Sequence, residues 1–324
     1  MLPEALASPT KTLSGANAFR LYDTYGFPVD LTEIMAEEAG VKVDGAAFLE
    51  EMQKAKERSR GASDLHSAKG QLGFDVHAIA EAEKRQFPKT NDAAKYEKGD
   101  IKAKVLALYA DKNFVEKMDA SAGQSFGILL DKTNFYAEAG GQEYDTGLIT
   151  IDGLTDFKVE ATQSYGGYVL HMGWLKYGSL SIGDEVNCSY DESRRHPLRS
   201  NHTSTHLLNF ALREVLGDQI EQKGSLVAQD KFRFDFSAKN APTPEELAKI
   251  QSIVEGFVQR DLKVFTKEIP LVKARNIVGL RAVFGEVYPD PVRVVCVGFD
   301  LDKVVDDSAN PEWQTSSIEF CGGT

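Results

Sequence analysis

Cysteine is scarce in this chain, three residues in 324, and no apolar stretch approaches the roughly 20 residues needed to cross a bilayer. The opening Met1-Leu2-Pro3-Glu4 has neither the basic start nor the apolar stretch of a secretory leader. These absences fit a reducing compartment, so a cytoplasmic location with no membrane partner is expected. Positive charge is also short. Lys and Arg total 37 against 49 Asp and Glu, and a net charge of −12 argues against bulk nucleic-acid affinity and leaves any RNA contact to local basic patches. No internal repeat or low-complexity tract is present. Two catalytic signatures are missing as well. The pair His202 and His206 lacks the Glu that a zinc peptidase places directly after its first His, and Thr203 stands there instead. The double glycine Gly140-Gly141 is not followed by the Gly-Lys-Ser/Thr of a nucleotide-phosphate loop.

What is present is the composition of a protein with real cores: 42% hydrophobic and 27% charged residues, in a chain too long for one ordinary domain. Residues 1–92 read as helical. Asp30-Leu-Thr-Glu33 has the form of a capping box opening a helix from Leu31 to Ala39, with Gly40 at its stop. Asp44 reads as the cap of a second helix running through Phe48, Leu49, Met52 and Ala55 to near Gly61. Ser59 to Gly73, rich in Gly, Ser and Ala, reads as a mobile loop, and Asn91-Asp92 as a boundary. From about residue 95 the period becomes two, as in Ile101-Lys-Ala-Lys-Val105, Phe157-Lys-Val159 and Tyr168-Val-Leu-His-Met172, which predicts a small β-barrel over 93–193. Residues 194–324 return to mixed elements. A helix carries the His pair to about Leu216-Gly217, a second opens at Pro244, and strands are expected at Phe232–Phe236, Val264–Ile269, Val292–Val297 and Ile318–Cys321. The fold class is therefore α+β multidomain: helical segment, β-barrel, and a two-layer core of helices on a largely antiparallel sheet.

His202 and His206, four apart at the head of the apolar-periodic Leu207, Leu208, Ala211, Leu212, Val215 and Leu216, share one helix face and can grip a single ion. Cys188 and Cys296 sit in strand patterns and read as small buried hydrophobes. Cys321 precedes Gly322-Gly323, where the backbone can turn tightly enough to aim a thiolate. His66, His77, His171 and His196 have no partner spacing and take surface or packing roles. Of two basic clusters, Lys54, Lys56, Arg58 and Arg60 read as a solvated helix face. Arg194, Arg195 and Arg199, just before the His pair, can hold a phosphate backbone.

Arg199-Ser-Asn-His-Thr-Ser-Thr-His-Leu-Leu208, Gln222-Lys-Gly-Ser-Leu-Val227, Arg233-Phe-Asp-Phe236 and Phe320-Cys-Gly-Gly-Thr324 together resemble the editing domain of alanyl-tRNA synthetase. Thr133-Asn-Phe-Tyr-Ala-Glu-Ala-Gly-Gly-Gln142 resembles its glycine-rich motif, and Phe19 to Thr32 resembles the end of its tRNA-recognition helical region. The resemblance implies a fragment without the aminoacylation core, monomeric, with alanine tRNA as partner. Its reaction would be hydrolysis of serine or glycine wrongly esterified to that tRNA. Such a second site is needed because one small group discriminates by only about 1–3 kcal/mol in a synthetic pocket. By match to the family, His202, His206 and Cys321 are ligands of one zinc ion. The fourth ligand would fall at position 325, past Thr324, so weak or no zinc binding is expected. Thr205 and Gln222 take catalytic roles, Thr205 reading the serine hydroxyl unless it bonds back to its own helix. Arg199, Gly140, Gly141, Gln142 and Arg233 contact substrate, although Gly140 and Gly141 also suit a tight turn that needs no ligand. The rival reading is a non-catalytic tRNA-binding module with structural zinc.

Overall fold

The computed structural model describes residues 5–6, 10–25, 29–62, 72–120, 124–283 and 286–324, without the side chains of 23–25 and 54–62. The chain divides into two units, 1–71 and 72–324. In the first, α1 (Gly15–Tyr25), α2 (Val29–Glu38) and α3 (Gly45–Ala62) accompany two short parallel strands, β1 (Thr12–Leu13) and β2 (Lys42–Val43). Leu13, Ala18, Ala36, Val41 and Phe48 form its core. Asp44 caps α3 as expected, accepting from the Ala47 N–H at 3.0 Å. Asp30, by contrast, lies inside the first turn of α2, which starts at Val29, so it acts on the helix dipole rather than as the N-cap. Of the loop expected at Ser59–Gly73, residues 59–62 close α3 and 63–71 lie outside the described residues, as do the side chains of Lys54, Lys56, Arg58 and Arg60.

The second unit begins with α4 (Val76–Lys84), capped by Asp75, and a 3-10 turn at Ala93–Tyr96. Nine strands follow among the described residues: β3 (Ile101–Ala110), β4 (Asn113–Val115), β5 (Lys117–Asp119), β6 (Ser125–Leu130), β7 (Gly147–Ile151), β8 (Thr155–Tyr165), β9 (Tyr168–Tyr177), β10 (Ser179–Ser181) and β11 (Glu185–Tyr190). Six of them close a barrel in the order β11-β7-β8-β9-β6-β3, β3 returning to pair with β11. The period-two pattern is what makes this work. Ala103 and Val105 point inward with Phe126, Ile128, Ile149, Phe157 and Val186. A register shift between Val105 and Ala107 then flips the alternation, so Ala107 and Tyr109 face outward. There they join Leu129, Leu170 and Met172 to receive Ala78 and Ala82 of α4, a packed layer on the outside of the barrel. Full burial of each large aliphatic here contributes about 1.5–3 kcal/mol.

The rest of the unit is α5 (Glu192–Leu216), the hairpin β12 (Gln222–Val227) and β13 (Phe232–Phe236), α6 (Pro244–Arg260), and a four-stranded sheet. Its strands are β14 (Val264–Ile269), β15 (Leu280–Arg281), β16 (Val292–Val297) and β17 (Ile318–Phe320), ordered β14-β16-β17-β15 with only the last pair parallel. Thr243 and Glu246 form a capping box on α6, with Pro244 in its first turn. Phe210 of α5, Phe257 of α6 and Val297 pack on one sheet face. The short α7 (Leu271–Ala274), α8 (Leu301–Asp306) and Trp313 cover Val294, Cys296 and Ile318 on the other. The α+β multidomain class is thus observed, with a closed barrel and mixed sheets. Among the described residues no helix is long and apolar enough to cross a membrane.

Candidate metal centre

The long helix α5 is anchored at its start. Asp191 accepts from the Ser193 and Arg194 N–H groups, and one turn on Arg195, 1% exposed, reaches back into the barrel. Its guanidinium pairs with Asp145, donates to the carbonyls of Asn134 and Lys95, and stacks at 3.4 Å on the Tyr190 ring. Arg194 donates to Glu143 Oε2 at 2.7 Å. Both are therefore struts joining helix to barrel. Of the expected phosphate-binding cluster only Arg199, paired with Glu192, faces the cavity.

Two turns further along α5, His202 and His206 stack with centroids 5.0 Å apart and planes tilted by 25°. The strand order brings the end of β17 alongside α5, so Cys321 arrives opposite the pair, its Sγ 3.3 Å from His202 Nε2. The ligand atoms of His202, His206 and Cys321 all lie within 4.8 Å of one another. Two imidazole nitrogens and a thiolate at this separation are a donor set that a tetrahedral zinc ion accepts at about 2.0–2.3 Å from each. Gly323 is required beside them, since a Cβ there would stand 2.1 Å from His202 Cε1. The electrostatics suit a cation. Burial opposes the Cys321 thiolate, but hydrogen bonds from His202 and His206 hold its pKa well below the ordinary thiol value. Burial likewise opposes a charged His206, yet Glu319 and Cys321 raise it to about 10. The Glu319 carboxyl, despite its burial, is held below the usual range by His206 and Asn209.

His202, His206 and Cys321 form one wall of a cavity of about 340 Å³, which also receives Lys95, Tyr96, Arg199, Thr203, Thr266 and Arg293. Lys95, Tyr96 and Arg293 carry no motif and were invisible to sequence reasoning. They meet because Arg293 on β16 stacks over Tyr96 at 4.2 Å and donates to the Cys321 carbonyl at 2.8 Å, while Tyr96 donates to the Gly322 carbonyl at 3.0 Å. Thr205 is 5% exposed and donates its hydroxyl to the Asn201 carbonyl at 2.9 Å, the helix back-bond that competes with substrate reading. It is Thr203 that lines the cavity.

Gln222 is half-buried on β12 opposite Phe236, and Arg233 is exposed and pairs with Asp235. The hairpin that carries them is tied to the glycine-rich loop. Val227 donates to the Gly141 carbonyl at 2.7 Å and Glu143 donates to that of Val227 at 3.0 Å. Gly140 and Gly141 turn with φ of 58° and 84°, and a Cβ on Gly141 would stand 2.5 Å from Ser225 Oγ. Gln142 between loop and helix is fully buried against His202.

Residues 1–194 match a protein-family profile described as tRNA synthetases class II (A). The chain is 53% identical over 321 residues to an alanine–tRNA ligase of Candida albicans, covering 99% of this chain and 33% of that protein. It is 51% identical over 323 residues to a mitochondrial alanine–tRNA ligase of Saccharomyces cerevisiae, 99% of this chain and 32% of the relative. A cytoplasmic alanine–tRNA ligase of Dictyostelium discoideum is 46% identical over 323 residues, 98% of this chain and 34% of the relative. The chain spans about a third of the length of the curated relatives it matches.

Proposed function

The chain belongs to the family of tRNA synthetases class II (A), and from that premise we propose that it is the editing portion of an alanine–tRNA ligase, hydrolysing serine or glycine esterified to alanine tRNA. The observation that carries the reading is the convergence of His202, His206 and Cys321 at the wall of a cavity large enough for an aminoacyl ester. A zinc ion bound there would polarise the ester carbonyl or hold the substrate amino group. The chain's own residues do the rest. Arg199, with Lys95 and Arg293, supplies positive charge for the RNA phosphates in a protein that is otherwise acidic. Thr205 and Gln222 are given the serine hydroxyl and the attacking water by match to the family; neither lines the cavity, which Thr203 does, so these roles need a substrate that reaches past it. Gly140, Gly141, Gln142 and Arg233 shape the substrate side from the glycine-rich loop and the hairpin it grips. Cytoplasmic placement and a monomeric state complete the reading, with the cytoplasmic relative as support for the first.

The test is deacylation of Ser-tRNA(Ala), Gly-tRNA(Ala) and Ala-tRNA(Ala) by the chain, with and without chelator. With zinc supplied, hydrolysis of the first two, spared for the third and lost with chelator, is expected. Thr205→Val should slow serine release more than glycine release, and Thr203→Val should do so if the cavity-lining hydroxyl is the reader. Tight tRNA binding without deacylation would refute the reading and favour a binding module with structural metal.

A further inference from the structure

The two histidines of the metal centre are held by different partners, and the hydrogen-bond directions can be worked out. Gln142 Oε1 accepts from the Thr324 backbone N–H at 3.2 Å, and a backbone N–H can only donate. Its Nε2 donates to Thr324 Oγ1 at 2.8 Å. The amide is therefore oriented, and the oxygen is the atom 2.7 Å from His202 Nδ1. His202 must carry its proton on Nδ1. His206 Nδ1 lies 2.6 Å from Glu319 Oε2, and the other carboxylate oxygen accepts from Asn209 Nδ2 at 2.8 Å. A carboxylate only accepts, so His206 is also protonated on Nδ1. Both Nε2 atoms are left toward Cys321.

We propose that Gln142 and Glu319 are positioning residues that fix His202 and His206 as Nδ1–H tautomers for a shared divalent cation, and that Gln142 thereby makes the order of the glycine-rich loop depend on that cation. This rests on the metal reading given above and goes beyond it by assigning residues outside the ligand set. Gln142 sits between Gly141 and Glu143, whose backbones are hydrogen-bonded to Val227 at the end of β12. The same residue thus belongs to the barrel loop by its backbone and to the His202 ring by its side chain. Fixing the ring by a bound cation fixes the amide, and with it the loop. Glu319 has no such reach. It is 7% exposed on β17, and its contribution is to hold the His206 ring through Nδ1 while Asn209 fixes its other oxygen.

The experiment is zinc affinity by competition with a chromophoric chelator, together with backbone hydrogen exchange, on the full chain and on Glu319→Gln, Gln142→Leu and Gln142→Glu. Glu319→Gln keeps the shape and should weaken zinc binding about 10–100-fold. Gln142→Leu should weaken it about 10-fold, and Gln142→Glu, whose carboxylate can still accept from His202, should recover the loss. Exchange at residues 140–143 should slow when zinc is added to the wild type and not in Gln142→Leu. Cooperative melting of each metal-free variant guards against misfolding. If the wild type binds zinc and the variants match it, or if exchange at 140–143 ignores zinc, this proposal fails alone. A wild type that binds no zinc overturns the metal reading and this proposal with it.

Discussion

Acid should unfold the barrel of this protein partly through one residue that takes no part in the metal centre. His171 lies on an inward position of β9, fully buried, with the Phe135 ring edge-on at 5.3 Å. The Phe135 N–H donates to Thr133 Oγ1 at 3.0 Å, the Thr133 hydroxyl donates to His171 Nε2 at 2.7 Å, and Nδ1 donates to the Ile128 carbonyl at 3.1 Å. The Thr133 hydroxyl can donate only to a neutral ring, because a protonated Nε2 has no lone pair left to accept. Burial lowers the pKa from the ordinary 6.5 to about 4, with the Ile128 bond acting the other way. A folded pKa below the unfolded one means the stability is complete above pH 6.5 and drains away as pH falls toward 4. Integrated between pH 7.5 and 4.5, the loss is on the order of 2–3 kcal/mol. Urea unfolding across that range, compared between wild type and His171→Gln, isolates the effect from the carboxylates, which titrate in both. Gln can make both hydrogen bonds without titrating, so its stability should fall less steeply by about that amount. Parallel curves would refute the reasoning.

Three further outcomes follow from the same geometry. Arg195→Met leaves Asp145 buried without its partner and should cost about 3–5 kcal/mol in urea unfolding, far more than Arg199→Met, whose partly buried guanidinium lines the cavity. Gly141→Ala must hold a side chain at φ 84° against Ser225 and should cost about 2–4 kcal/mol by the same measurement, together with lost protection of the loop on β12. Burial pushes Cys188 up to about 12 and Cys296 up to about 11, whereas Cys321 is held low and is only partly buried. Iodoacetamide at pH 7.5 should therefore mark Cys321 alone, read by peptide mass, and zinc should protect it.

The sequence by itself determined the elements that depend on local pattern. The strands at Phe232–Phe236, Val264–Ile269 and Val292–Val297 follow directly from short apolar runs bounded by turns. The His pair was legible because four-residue spacing on a helix is a local fact. The barrel was legible as alternation, but not the shift between Val105 and Ala107 that turns Tyr109 outward to α4, since a bulge leaves no mark on composition. Nor was the parallel pairing of β1 with β2, two-residue strands about 30 positions apart and too short to carry a period. Arg194 and Arg195 read as part of a phosphate-binding cluster because a sequence does not reveal that Asp145 and Glu143 lie in front of them. Likewise Tyr96, Arg293 and Glu319 have no motif, and Thr203 and Thr205, two residues apart, are turned about 200° from each other by the helix, the first to the cavity and the second to the packed interior. Ligand spacing is set by covalent geometry and repeats every turn. What surrounds a ligand is set by which strands the barrel and the sheet bring beside α5, and that only the closed tertiary structure decides.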